Sequence, residues 1–344
     1  MQLCLCLKVP KLLLSVTTKY TTNTLSSTLV YCKEALAPYL FVIVLDWILR
    51  TALTDESLGF PLQSEVKLRN GRVTTPGLTV LDLDFADDIA ILSDCPFKAQ
   101  IILSAIEKVA KLVGLQINQK KTEFLLVGSW THPVTISLES GRITQVNDFK
   151  YLGSYLLNSN NDFQCRKGQA WSAAVRLHKI WYSNTLSRET KLKVFKTCVE
   201  PILLYNATTW TMNKGLTKKL DGSYTKLLRY ALNIKWSDKI TNQELYGDML
   251  PISAYLRERR LKFLGHCWRS SQSAKQYVSD VMFWTCLGPR KRGNRSNYIK
   301  ILLHDLGLPS DSKNFNDSVK QAQDMMKNKA EWRKRTSISH KRKK

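Results

Sequence analysis

Around residue 86 the apolar positions change their period. Leu81, Leu83 and Phe85 stand at every second place, Ala86-Asp87-Asp88 interrupts, and Ile89, Ile91 and Leu92 resume. Two short apolar runs about an Asp-Asp corner predict a β-hairpin whose turn holds two adjacent carboxylates. Upstream, A-L-A-P-Y-L-F-V-I-V-L-D-W-I-L-R-T-A-L starts at Ala35 and sets Phe41, Leu45, Ile48, Leu49 and Ala52 on one helical stripe. That spacing predicts a helix with Pro38 in its first turn, where a missing N–H costs nothing. G-F-P-L from Gly59 and R-N-G-R from Arg69 read as turns. Downstream, Lys98 to Val113 places Ile102, Ala105, Ile106, Val109 and Leu112 on one face, with Gly114 where a helix C-terminal glycine belongs. The run T-E-F-L-L-V-G from Thr122 then reads as a strand. Helix, hairpin, helix, strand is the order of an α+β sheet with helices on one face and the carboxylate turn at its edge.

Beyond Gly153 the period of two disappears. R-E-T-K-L-K-V-F-K-T-C-V-E (188–200) turns Leu192, Phe195 and Val199 inward, and A-Y-L-R-E-R-R-L-K-F-L-G-H (254–266) does so with Leu256, Leu261 and Leu264. Trp171, Trp181, Trp210, Trp236 and Trp268 fall in this helical stretch and read as core rather than as base-stacking platforms. G-P-R-K-R-G-N-R-S-N (288–297) is a turn-rich basic linker, and 316–335 is one amphipathic segment. Four divisions follow: a polar leader over 1–29 with no assigned element, a sheet domain over 30–156, a helical domain over 157–270, and a basic C-terminal region over 271–344.

The charge changes the meaning of the hairpin. Lys and Arg number 52 against 28 Asp and Glu, a formal net charge of +24. That excess calls for a polyanionic partner, with nucleic acid the first candidate and an anionic membrane surface the second. The stretch at 35–49 is too short to span a bilayer, and the N-terminal apolar run is broken by Lys8 and Lys11, so no membrane segment is expected. Eight cysteines form no C-x-x-C pair and suit an intracellular compartment, nucleus or cytoplasm; the H-K-R-K-K end is a solvated tail or a nuclear import signal. Against this background five aspartates fall within 81–94. Asp is a common turn residue, so an isolated A-D-D is an ordinary solvated corner unless its neighbours say otherwise.

The neighbours do. Phe85-Ala86-Asp87-Asp88 resembles the F-A-D-D catalytic box of reverse transcriptases from non-LTR retrotransposons. The segment 35–50 resembles the helix after the template-contacting loop, G-L-Q-I-N-Q-K-K-T-E-F (114–124) a later palm motif, and F-K-Y-L-G-S-Y-L (149–156) the primer grip. V-E-P-I-L-L-Y-N-A-T-T-W (199–210) and R-E-R-R-L-K-F-L-G-H-C-W-R-S (257–270) resemble the thumb and C-terminal region of LINE-type elements, closest to the RTE group. The resemblance implies a partial right-hand palm followed by a mostly helical thumb. It also implies nucleotidyl transfer onto a primer 3′-OH, with RNA template and DNA primer as partners. Asp87 would be the main ligand of a two-ion Mg²⁺ site and Asp88 its assistant. Lys121 would assist proton transfer to pyrophosphate, though a Lys in a K-K-T turn is equally a solvated one. Tyr151, Leu152 and Gly153 would form the primer-side turn.

Some of the family pattern is missing. A further aspartate is required on an earlier strand, and residues 1–29 contain no Asp or Glu. Neither the fingers nor a preceding endonuclease is expected from these residues, and Cys32-Lys33-Glu34 stands where Gln-Gly-Asp belongs in the loop before the Ala35 helix. Losing a shared metal ligand removes charge stabilisation that is most of the catalysis. The expectation is a truncated retrotransposon fragment that polymerises poorly or not at all alone, or else a non-catalytic nucleic-acid-binding remnant. An unrelated Asp-Asp hydrolase would need further carboxylates or histidines at the hairpin.

Overall fold

Alternation about the aspartate corner folds as the pattern demands. In a computed structural model, Asp82–Phe85 (β2) and Asp88–Ser93 (β3) pair antiparallel from Asp82↔Ile91 to Phe85↔Asp88. The model describes residues 11–19, 30–63, 66–67, 73–75, 78–128, 130, 132–273, 298–310 and 315–337. Two compact units emerge, one running to Gly153 and the other from Ser154 onward.

The first unit is built on a strand that the sequence reading left unassigned. Lys11–Lys19 (β1) lies at the centre of the sheet, antiparallel both to β3 (Leu14↔Ile91, Thr17↔Asp88) and to Glu123–Val127 (β5; Leu14↔Phe124). Gln116–Ile117 (β4) adds to the end of β1, and Thr144–Val146 (β6) runs parallel to β5. The order is therefore β6-β5-β1-β3-β2, with the aspartate hairpin at one edge. Val30–Ala52 (α1) and Pro96–Leu112 (α2) share one core with the sheet, where Leu45, Ile48, Ile102 and Ile106 meet Ile89, Ile91 and Phe124.

Three local expectations change. The helix begins at Val30 rather than Ala35, so Pro38 lies inside it and Cys32-Lys33-Glu34 is helical rather than loop. The residues before Ala35 do not signal the earlier start, because V-Y-C-K-E contains no Ser, Thr, Asp or Asn to mark a cap. Leu112 is 73% exposed, since α2 turns Ala99, Leu103 and Ala110 inward instead and ends at that residue, with Gly114 following at φ +77°. Gly59 does turn the chain, but Phe60–Gln63 is a strand paired with Leu78–Val80. R-N-G-R (69–72) and the linker 288–297 lie outside the described residues.

The second unit is helical. Ser159–Arg176 (α3), Arg188–Cys198 (α4), the short Glu200–Leu203 (α5) and Lys214–Ala231 (α6) pack with Ile252–Ser273 (α7) around Trp181, Trp210, Phe195 and Leu227. Phe195, Val199, Leu256, Leu261 and Leu264 are buried and Leu192 partly so. The tryptophans read as core divide: Trp181 and Trp210 are fully buried, Trp171 and Trp268 partly, while Trp236 is 97% exposed on a short helical turn. A further core joins the later part of α7 to Tyr298–Leu306 (α8), Phe315–Lys327 (α9) and Lys329–Thr336 (α10). The single amphipathic segment read over 316–335 is thus two helices, broken at Asn328, whose side chain accepts from the backbone of Ala330 and Glu331 at 3.0 and 3.2 Å. An Asn that offers its own acceptor to the next two amides starts a helix more readily than it continues one. At the junction Trp332 seats directly on Gly265 and donates its indole N–H to the Leu261 carbonyl at 3.0 Å; any side chain at residue 265 would collide with the indole. No helix among the described residues is long and apolar enough to cross a membrane.

Candidate functional site

A two-residue turn, Ala86-Asp87, closes the hairpin between the last pair Phe85↔Asp88. Ala86 takes φ +56°, the left-handed conformation that tight hairpin turns ask of a corner residue. For an L-residue with a Cβ this costs roughly 1 kcal/mol. The hairpin's alternation sends Ile89 and Ile91 into the helix-covered core, so Asp88 falls on the opposite side, with Phe85 across from it. Asp87 is fully outside at the corner and Asp88 is half-buried beside it.

Two other sequence candidates, Lys121 and Tyr151, are brought to the hairpin. Burial first, and then the charge of Asp87, hold the Asp88 carboxyl above its ordinary range, while the Lys121 ammonium pulls it back down. Lys121 is exposed at the end of a turn fixed by Asn118, which accepts from the backbone N–H of Lys121 at 3.0 Å and from the hydroxyl of buried Thr122 at 2.9 Å. Tyr151, on the short strand Lys150–Tyr151 (β7), donates its hydroxyl to the carbonyl of Leu83 in β2 at 2.9 Å. Burial, followed by the charges of Asp84, Asp88 and Asp82, pushes that phenol up to about 12, so it remains a donor at neutral pH. Leu152 and Gly153, at φ +47° and +81°, make the tight turn from β7 to Ser154–Tyr155 (β8). They shape the chain there, and Tyr151 is the member of the trio tied to the hairpin by a described hydrogen bond.

The sequence reading missed a second acidic pair. Asp82 and Asp84, two apart on β2, share the face of their cross-strand partners Ile91 and Ile89. Asp84 reaches solvent along the sheet edge, yet its carboxyl is crowded by protein. Burial, then the hydrogen bond with Asp82 and the charges of Asp82 and Asp46, push it up to about 8. The i, i+2 spacing in a predicted strand was the available signal.

Residues 34–156 match the family model of reverse transcriptase (RNA-dependent DNA polymerase). This segment is similar to reverse transcriptases. It contains the hairpin, Lys121 and the Tyr151 turn. Over 207 residues the chain is also 26% identical to a transposon-derived protein of Caenorhabditis elegans, covering 56% of this chain and 73% of that protein.

Reverse transcriptases use divalent metal ions, and the donor set of this reverse transcriptase-like segment meets that need in part. Asp87 and Asp88 are hard oxygen donors at one corner, and their mutual repulsion is what a divalent cation would relieve. Among the described residues, however, no three His, Cys, Asp or Glu side chains converge on one point. The strand beside the hairpin offers no acid: Thr17 is the residue of β1 in register with Asp88.

Proposed function

We propose that the chain is the palm and thumb portion of an RNA-directed DNA polymerase from a LINE-type, RTE-like non-LTR retrotransposon. One observation carries this reading: an exposed two-carboxylate hairpin turn, with the Lys121 charge acting on Asp88 and the Tyr151 hydroxyl tied to Leu83 of the same hairpin, inside the segment that matches the reverse transcriptase family. Asp87 and Asp88 would hold Mg²⁺, which when bound would supply charge stabilisation for the attacking and leaving oxygens of nucleotidyl transfer. The residues of the chain do the rest. Lys121 keeps Asp88 closer to its ionised form and stands ready to donate a proton on the pyrophosphate side. Tyr151 remains protonated and holds the Leu83 carbonyl, which fixes the hairpin from which Asp87 and Asp88 project. The surplus of basic side chains holds template and primer by their phosphates, with affinity that falls steeply as salt rises.

A second reading has its own support in Thr17. A threonine at the register position facing Asp88 leaves two carboxylates where the family needs three, which favours a slow polymerase or a binding remnant. Primer extension on an oligo(dT)-primed RNA template with Mg²⁺ separates these readings. The parent is compared with Asp87→Ala/Asp88→Ala and with Thr17→Asp. Slow extension that vanishes in the double variant, by at least about a hundredfold, supports the polymerase. Extension that survives in it sinks the assignment. Extension by Thr17→Asp alone identifies the third carboxylate as the missing part, and none from any folded variant leaves the remnant.

A further inference from the structure

A cleft of about 540 Å³ opens in the helical unit between α3 and α5, away from the aspartate hairpin in sequence. Its volume lies in the range of small-molecule sites, roughly 300–1,000 Å³. One wall is a face of α3 carrying Arg166, Gln169, Ser172 and Arg176, spaced three or four apart, and the other carries Ile202 and Tyr205. One side is therefore cationic and rich in donors, the other flat and apolar, and no carboxylate lines it. The Arg166 guanidinium is buried and lies over the Tyr205 ring at 4.1 Å from its centroid, while its Nη1 donates to the Gln169 amide oxygen at 3.0 Å. With that oxygen occupied, the Gln169 amide contributes its N–H groups as donors. Asp162, the buried acid paired with Arg166, already accepts from the Trp210 indole at 2.8 Å and the Tyr155 backbone at 3.1 Å. Arg176 is exposed and makes no ion pair among the described residues.

We infer that this cleft takes one unpaired nucleotide of a nucleic-acid strand, with its base laid toward Tyr205 and Ile202 and its phosphate on Arg176 and Ser172. A nucleotide joins a flat π-face to a charge, and the two walls offer the complement of each: aromatic stacking tolerant of base identity, and arginine for phosphate. The choice of a nucleic-acid strand over another ring-bearing anion rests on the polymerase reading above, but occupancy of the cleft does not require the hairpin to be active.

The test is fluorescence anisotropy with the full chain and a labelled single strand of about ten nucleotides, within the site sizes of roughly 4–16 known for such proteins. A blunt duplex of equal length is run beside it. Arg176→Ala and Ser172→Trp both alter exposed positions and should melt as the parent does; Tyr205→Ala is added where it also melts normally. The expected result is about tenfold weaker single-strand binding for each, and a salt slope for Arg176→Ala smaller by about 0.7, with duplex binding little changed. Folded variants that bind the single strand as tightly as the parent overturn the inference. So does an equal loss for single strand and duplex, which would mean phosphate tracking without a nucleotide pocket. Primer extension on the same preparations keeps the two readings apart. A chain that never extends but binds through the cleft retains this inference, and one that extends with unaltered binding in the cleft variants discards it alone.

Discussion

Two groups of aspartates, one in each unit, are treated in opposite ways. In the helical unit a buried acid is met by partners: Asp162 by the Trp210 indole, the Tyr155 amide and the Arg166 guanidinium, and Asp305 by Arg260 at 2.7 Å. In the sheet unit Asp82, Asp84, Asp87 and Asp88 crowd onto one hairpin, where burial and mutual repulsion raise Asp84 and Asp88. Acid that is satisfied helps hold a fold together, whereas the repulsion between acids at an exposed corner is what a cation from outside would relieve. The contrast sets the aspartates paired within the fold apart from those proposed to hold a metal.

The largest effect expected from breaking this contrast is in the helical unit. Asp162→Ala should destabilise it by about 3 kcal/mol, because the Trp210 N–H would stay buried without its acceptor and the Arg166 charge without its ion-pair partner. Urea denaturation followed by tryptophan fluorescence measures this, and a loss below about 1 kcal/mol would mean that water or backbone replaces the carboxylate.

A smaller effect, of distinctive sign, belongs to Asp84. Folded, it keeps its proton up to about pH 8, whereas the unfolded chain releases it near 3.8. Between those values the folded state binds more protons, so stability present at low pH is lost as pH rises through the folded value. The parent should therefore weaken from mildly acidic to mildly alkaline solution, and Asp84→Asn should flatten that slope. An identical slope in the variant would assign it to other groups. Smallest of all, Tyr151→Phe removes the hydrogen bond to Leu83 and should cost about 1 kcal/mol. If the hairpin depends on that tie for its position, primer extension should fall further than stability does.

The same contrast shows what a sequence can reveal. The hairpin was legible because its signal is local: alternation on both sides of an Asp-Asp corner, within fourteen residues. The helical stripes at Phe195, Val199, Leu256 and Leu264 were legible for the same reason. Strand β1 was not. K-L-L-L-S-V-T-T-K sits in a Thr- and Ser-rich stretch, and the strands on either side of it come from residues 88–93 and 123–127, so nothing nearby announces the pairing. The break at Asn328 was missed because the apolar period persists across it, while the cap depends on one side chain turning back to its own backbone. Within the candidate site, the proximity of Lys121 and Tyr151 to Asp88 came from the family resemblance. Asp82 and Asp84 had no place in that resemblance and emerged with the fold.

The helix α7 has a thermodynamic consequence of its own. Leu256 belongs to the core built on Trp181 and Trp210, and Leu261 and Leu264 to the core built on Trp332, only five to eight residues further along one unbroken rod. Neither core can come apart without fraying the helix on which the other is assembled. The two therefore melt as one cooperative body, and a lesion such as a side chain placed at Gly265 would be felt as lost protection of amides at both ends of the helix.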